Sequence, residues 1–235
     1  MEILKLNHIS SGYGKKQILY DINLEIEQDS ITLLVGSNGS GKSTLFKTIY
    51  GLLPKMQVDR TEFSIFFRNQ EITDIPTHKL LSKGIMYVPQ KDELFDELSV
   101  KENIQFSLLH NRRASESKLV IDQVFENFQE IFTKSNRKVR DLSGGERKLL
   151  SLSMVFANQP ELVLYDEPLA GLSGGNEQVV LQWIEKLNKQ GTTFVIIEHR
   201  IAELTNLANQ IIGLKLGSLY KNRFDNIEDI KSFMI

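Results

Sequence analysis

Cysteine is absent from the sequence. That excludes a disulfide scaffold, thiolate-held zinc and cysteine nucleophiles, and it accords with a reducing compartment. Proline is scarce, 5 residues in 235, which leaves no collagen-like or mucin-like tract. Net charge is nearly absent: 28 Lys and Arg against 30 Asp and Glu give a formal −2. No general basic coat exists, and no nucleic acid is expected as a partner. Long apolar runs are missing as well. Ile31–Val35 and Phe194–Ile197 fall far short of the ~20 residues that a membrane-spanning helix needs. Met1-Glu2-Ile3-Leu4-Lys5 carries charge where a secretory leader has its apolar stretch. A cytoplasmic location is therefore expected.

What is present is an ordinary globular composition, 41% hydrophobic and 25% charged. A chain of this length buries about 70–75% of the surface its unfolded form exposes, so it needs no covalent staple. One domain, residues 1–235, is expected, with no linker, repeat or low-complexity tract.

Polar and apolar residues alternate through Tyr20–Glu27, and with Ile3 they read as half-buried strands separated at Gly12 and Gly14. Ile31–Val35 reads as a strand covered on both faces. A helix is expected from Lys42 to about Gly51, a strand over Thr61–Phe67 and another over Ile85–Val88. Ser99 and Glu102 form a capping box that opens a helix to about Leu109. Val120, Val124, Phe125, Phe128 and Phe132 recur at helical spacing and predict one amphipathic helix over 117–132, with its aromatic stripe in the core. Helices over about 144–156 and 176–189 then alternate with strands at Glu161–Asp166 and Thr192–Ile197, and a last strand lies near Ile211–Leu214. This order predicts an α/β fold with a mainly parallel sheet and helices on both faces. Residues 75–158, rich in helix, read as an inserted helical subdomain.

The chemistry concentrates in a few segments. Gly36-Ser37-Asn38-Gly39-Ser40-Gly41-Lys42-Ser43-Thr44 fits G-x-x-x-x-G-K-[ST], after a buried strand and before a helix. Its glycines let backbone N–H groups curl around phosphate oxygens, with the helix N-terminus behind them. Lys42 is expected to reach the β- and γ-phosphates, and the Ser43 hydroxyl to hold Mg²⁺. Leu162–Tyr165 is a hydrophobic strand running into Asp166 and Glu167. Ligands of parallel sheets bind at such carboxyl ends. Asp166 is placed to coordinate the metal and Glu167 to orient or deprotonate an attacking water. In Leu142-Ser143-Gly144-Gly145-Glu146, the serine and glutamate form a second capping box. The two glycines cost helix stability and leave bare N–H groups of the kind a phosphate takes. The basic residues Lys134, Arg137, Lys138 and Arg140 read as a solvated face, and His8, His78 and His110 as surface or structural.

Together these segments resemble, over essentially the whole chain and in the family's order, the nucleotide-binding subunit of an ATP-binding cassette (ABC) transporter. The resemblance implies a P-loop NTPase fold with an antiparallel β subdomain and the helical subdomain, and an ATPase working with Mg²⁺. It assigns adenine stacking to Tyr13, and metal binding and contact with the membrane partner to Gln90 of Tyr87-Val88-Pro89-Gln90. It makes Ser143, Gly144, Gly145 and Glu146 the family signature, which touches ATP held by a partner subunit. It makes Asp166 the metal carboxylate, Glu167 the catalytic one and His199 the contact to the γ-phosphate. Two such subunits, identical or different, would close head to tail on ATP and drive integral permease subunits from the inner membrane face. Ser173 departs from the pattern, since the family usually has Asp there. Ile75–Lys79, Gly84–Gln90 and Ile197–His199 resemble the branched-chain amino acid importer and lipopolysaccharide-export ATPases. Amino-acid import is the finer expectation. An exporter ATPase or a soluble non-transport ATPase of the same class is the alternative. The latter usually carries a second cassette or long insertions, for which 235 residues leave no room.

Overall fold

The structure is a computed structural model that describes residues 1–56, 63–91, 94–109, 111, 113–172, 175–220, 224 and 226–234. Thr61, Glu62, His110 and Ser173 lie outside these.

The chain opens with β1 (Glu2–Tyr13) and β2 (Lys16–Glu27), an antiparallel hairpin. Of the two glycines, Gly14, at φ 57°, sits in the turn, with Lys15. Gly12 stays within β1, contrary to the sequence expectation, paired with Gln17; it is glycine because a Cβ there would come 2.1 Å from the Lys16 carbonyl oxygen across the hairpin. Next come β3 (Ile31–Val35) and α1 (Lys42–Ile49). β4 (Ser64–Phe67) and β5 (Gln70–Glu71) complete a four-stranded sheet of order β2-β1-β4-β5. α2 (Leu80–Lys83) leads to β6 (Ile85–Val88).

A helical stretch follows: α3 (Val100–Ser107), α4 (Ser117–Asn127), α5 (Gln129–Phe132) and α6 (Gly144–Asn158). The single helix expected over 117–132 is thus two, broken at Phe128, whose φ −116° and ψ 69° are not helical. Phe128 is buried, stacked on Trp183 at 3.8 Å between ring centroids and edge-on to Phe156. Tertiary packing of this ring outweighs helical continuity. The aromatic stripe is only partly core: Phe128 is buried, as are Val120 and Val124 beside it in the pattern, but Phe132 is 50% exposed beside Phe125.

The chain returns to the main sheet with β7 (Leu162–Asp166), α7 (Gly175–Lys189), β8 (Thr193–Ile197), β9 (Gln210–Lys215) and β10 (Ser218–Leu219), and ends in α8 (Ile227–Met234). The six-stranded order is β10-β9-β3-β8-β7-β6, parallel except for the β9–β10 hairpin. β3, β7 and β8 are buried along their whole length, which is why they read as nearly continuous apolar runs. Their side chains alternate between two cores. Ile31, Leu33, Val35, Val163 and Tyr165 pack toward α3, α4, α6 and α7. Leu34, Leu162, Leu164 and Ile197 pack with α1 and the inner face of the β1–β2 hairpin. Among the described residues, no helix is long and apolar enough to cross a membrane.

Candidate functional site

β3 delivers the chain at Val35 into the loop Gly36–Gly41, which turns into α1 at Lys42. Two of its glycines are obligatory for different reasons. A Cβ on Gly36 would stand 2.2 Å from the Leu214 carbonyl oxygen, and Gly41 caps the helix at φ 107°. Lys42, only 6% exposed, braces the loop from within by donating to the carbonyls of Gly36 at 2.7 Å and Ser37 at 3.0 Å. Burial pulls its pKa below the ordinary lysine value, and the charges of Asp166 and Glu167 oppose that.

β7 ends beside this loop. Asp166 is 3% exposed, and burial pushes its carboxyl above the ordinary 3.8, with the Ser43 hydroxyl acting against the shift. Asp166 Oδ1 has no hydrogen-bond partner. Ser40 Oγ is the other buried side-chain atom in that condition among the described residues, and it sits in the same loop. Buried polar atoms are ordinarily satisfied. The Asp166 orphan, beside the Ser43 hydroxyl, marks a place that an added polar group can complete. An unsatisfied carboxylate oxygen on Asp166 beside the Ser43 hydroxyl is a hard-oxygen donor set that fits Mg²⁺.

Glu167, the next residue, has φ 51°, in the left-handed region that non-glycine residues seldom adopt. Its amide donates to the Ile197 carbonyl at 2.8 Å, which continues the β7–β8 ladder one residue further. Its carboxylate is held on both oxygens: Gln90 Nε2 donates to Oε2 at 2.5 Å, and His199 Nε2 lies 3.3 Å from Oε1. Gln90 follows β6 and His199 follows β8, so the three groups come from three adjacent strand ends.

A cleft of about 320 Å³ lies over these elements, lined by Asn38, Gly39, Gly41, Lys42, Ser43, Thr44, Glu167 and His199. Lys16 and Ile18 of β2 complete the wall, and sequence reasoning missed both. Their only signal was proximity in sequence to Tyr13. Tyr13 itself is 47% exposed near the tip of the hairpin, with Lys47 Nζ 6.0 Å from its ring, and it does not line the cleft.

Ser143, Gly144, Gly145 and Glu146 stand apart from it. Ser143 caps α6, accepting from the Glu146 amide, while the Glu146 carboxylate accepts from the Ser143 amide at 2.9 Å and pairs with Lys134. Ser143 and Gly144 are exposed and Gly145 is packed under Asn176. None of the four lines the cleft of its own chain. Of the basic residues read as a solvated face, Lys138 and Arg140 both pair with Glu97.

The family profile described as ABC transporter matches residues 19–170. A probable branched-chain amino acid transport ATP-binding protein LivF from Archaeoglobus fulgidus is 32% identical, over 94% of this chain and 91% of that one. The lipopolysaccharide export system ATP-binding protein LptB from Haemophilus influenzae is 27% identical, over 93% and 89%. Among solved structures, the nucleotide-free ATP-binding cassette of an ABC transporter superposes with a TM-score of 0.82 at 26% identity, covering 99% of this chain and 95% of that one. The chain thus belongs to the ABC transporter family, as one of its ATP-binding ATPase subunits.

Proposed function

We propose that the cleft binds ATP with Mg²⁺ and hydrolyses it, and that two such subunits close head to tail to power a permease. The observation that carries this reading is the Glu167 carboxylate held between Gln90 and His199, beside Lys42 and Asp166. Amides of Gly36–Gly41 and the start of α1 receive the phosphates. Lys42 supplies positive charge at the β- and γ-phosphates. Asp166, Ser43 and Gln90 are the residues that hold Mg²⁺, which when bound neutralises charge on the phosphate oxygens. Glu167 takes or orients the proton of the attacking water, Gln90 and His199 fix its two oxygens, and His199 contacts the γ-phosphate. Tyr13 reaches the adenine from the hairpin tip.

The exposed signature supports the two-subunit reading. A helix start that bares Ser143 and Gly144 away from its own cleft suits a γ-phosphate presented by another subunit, the same chain or a related one. Loss of that phosphate on hydrolysis removes a charge-assisted bridge between two surfaces and shifts the balance toward the open form. Gln90 would be the residue through which such a movement passes to permease subunits at the inner membrane face. The names of the relatives favour amino acids as the cargo class, and the cargo is contacted by the permease and not by this chain.

Glu167→Gln tests the assignment. It keeps the shape and removes the base, so turnover is expected to fall by about 10²-fold or more, the usual weight of a positioned acid–base group. ATP binding is expected to persist, and size-exclusion chromatography with ATP to show a dimer. Undiminished turnover, or a monomer at all ATP concentrations, would overturn the reading.

A further inference from the structure

The two residues that flank His199 have no task in the nucleotide site described above. Glu198 is buried, 2% exposed. Its Oε2 accepts from the Leu169 amide at 3.1 Å, and its Oε1 from the amides of His199 at 3.1 Å and Arg200 at 3.3 Å. The Arg200 guanidinium donates to the carbonyls of Leu169 and Leu172, the latter at 3.2 Å, and forms an ion pair with Glu177 in the first turn of α7.

Leu169–Leu172 belongs to the turn that follows Glu167. The Ala170 amide donates to the Glu167 carbonyl and the Leu172 amide to the Leu169 carbonyl, both at 3.2 Å. The turn is therefore gripped by an amide on one side and two carbonyls on the other, by side chains that bracket His199. Beyond it, the Gly171 carbonyl oxygen is 3.8 Å from where a Gly144 side chain would begin, at the start of α6.

This grip bears on Glu167. A non-glycine residue persists at φ 51° only where its surroundings over-determine it. The bond from Glu167 N to Ile197 O fixes the near side, and the held turn fixes the far side. A planar guanidinium can serve two carbonyls and a carboxylate in one plane, which an ammonium cannot.

We infer that Glu198 and Arg200 form a positioning clamp: by holding the turn after Glu167 they set the catalytic carboxylate in register with His199 and tie both to the signature end of α6. The inference rests on the catalytic reading of Glu167 above, and it makes Arg200 a positioning residue of the ATPase.

The test compares Arg200→Ala, Arg200→Lys and Glu177→Gln for kcat, KM and the Kd of ATP. Arg200→Ala is expected to lower kcat by about 10-fold, since small misplacements of a catalytic group are costly, while the Kd of ATP stays within about 2-fold. Arg200→Lys is expected to recover part of the loss, because one carbonyl and Glu177 remain within its chemistry. In a Glu167→Gln background, where turnover is already removed, Arg200→Ala is expected to reduce the ATP-trapped dimer on size exclusion. Should Arg200→Ala not fold, Glu177→Gln removes only the outer partner of the guanidinium and is expected to lower kcat by about 3-fold at unchanged circular dichroism. An Arg200→Ala or Glu177→Gln protein with unchanged kcat, or a kcat loss matched by equal loss of ATP affinity, overturns the clamp. A parent without turnover, or a Glu167→Gln protein that retains it, overturns the reading of Glu167 and the clamp with it.

Discussion

Asp166 is held where its charge is expensive. Its carboxyl is raised above 3.8 chiefly by burial, so the native state binds the proton more tightly than the unfolded chain. Stability is then highest below 3.8, falls as the pH rises through the raised native value, and carries the full cost at neutral pH. Removing the charge should help the fold and harm the site. Asp166→Asn is expected to raise the Tm of the nucleotide-free protein at pH 7.5 by about 2–4 °C, the shift that about 1 kcal/mol gives in a domain of this size. It should also abolish the extra stabilisation that Mg²⁺ adds to ATP. Differential scanning calorimetry with and without Mg-ATP reads both, and a lower Tm in the nucleotide-free protein would contradict the burial argument. At this scale the sequence was most legible where chemistry dictates residue type at fixed spacing, as in Gly36–Thr44. It was least legible where partners lie far apart along the chain. Glu198 and Arg200 grip a turn about thirty positions earlier, with Glu198 29 positions after Leu169, and no local pattern announces that.

Two helices are opened by the same device for different ends. Ser99 caps α3 and Ser143 caps α6, each accepting from the amide of a glutamate three residues on. Removing either hydroxyl should cost about 1 kcal/mol of stability. Ser99→Ala is expected to change stability alone, whereas Ser143→Ala is expected to lower ATPase activity by more than its loss of folded protein explains. Urea unfolding beside turnover assays separates the two, and equal activity in both variants would reduce Ser143 to a cap. Capping boxes and five-residue apolar strands are local signals, and both were readable. The break of the 117–132 helix at Phe128 was not, because it is caused by Trp183, 55 positions later, stacking on that ring. β5, β10 and α2, of two to four residues, are too short to leave a periodic trace.

At the scale of the molecule, the alternation of strand and helix made the parallel sheet legible, and the sheet gathers Gly36–Thr44, Gln90, Glu167 and His199 at the ends of neighbouring strands. It does not bring the signature to them. Ser143 and Gly144 are exposed on one part of the surface, and the cleft opens on another. On the proposed reading each chain carries two half-sites that its own fold keeps apart, and a second chain is the simplest means of joining them. This has a thermodynamic consequence. A ligand bound by one chain stabilises it by mass action, about 2.7 kcal/mol at a hundred times Kd, whatever the protein concentration. A ligand that also bridges two chains makes the midpoint depend on protein concentration, because unfolding then releases two molecules. The Tm of the Glu167→Gln protein in saturating Mg-ATP is expected to rise with protein concentration, while in ADP, which lacks the bridging phosphate, it should stay constant. A Tm independent of concentration in both nucleotides would mean that the two half-sites do not meet through a second copy of this chain, leaving a different subunit as the partner that completes them.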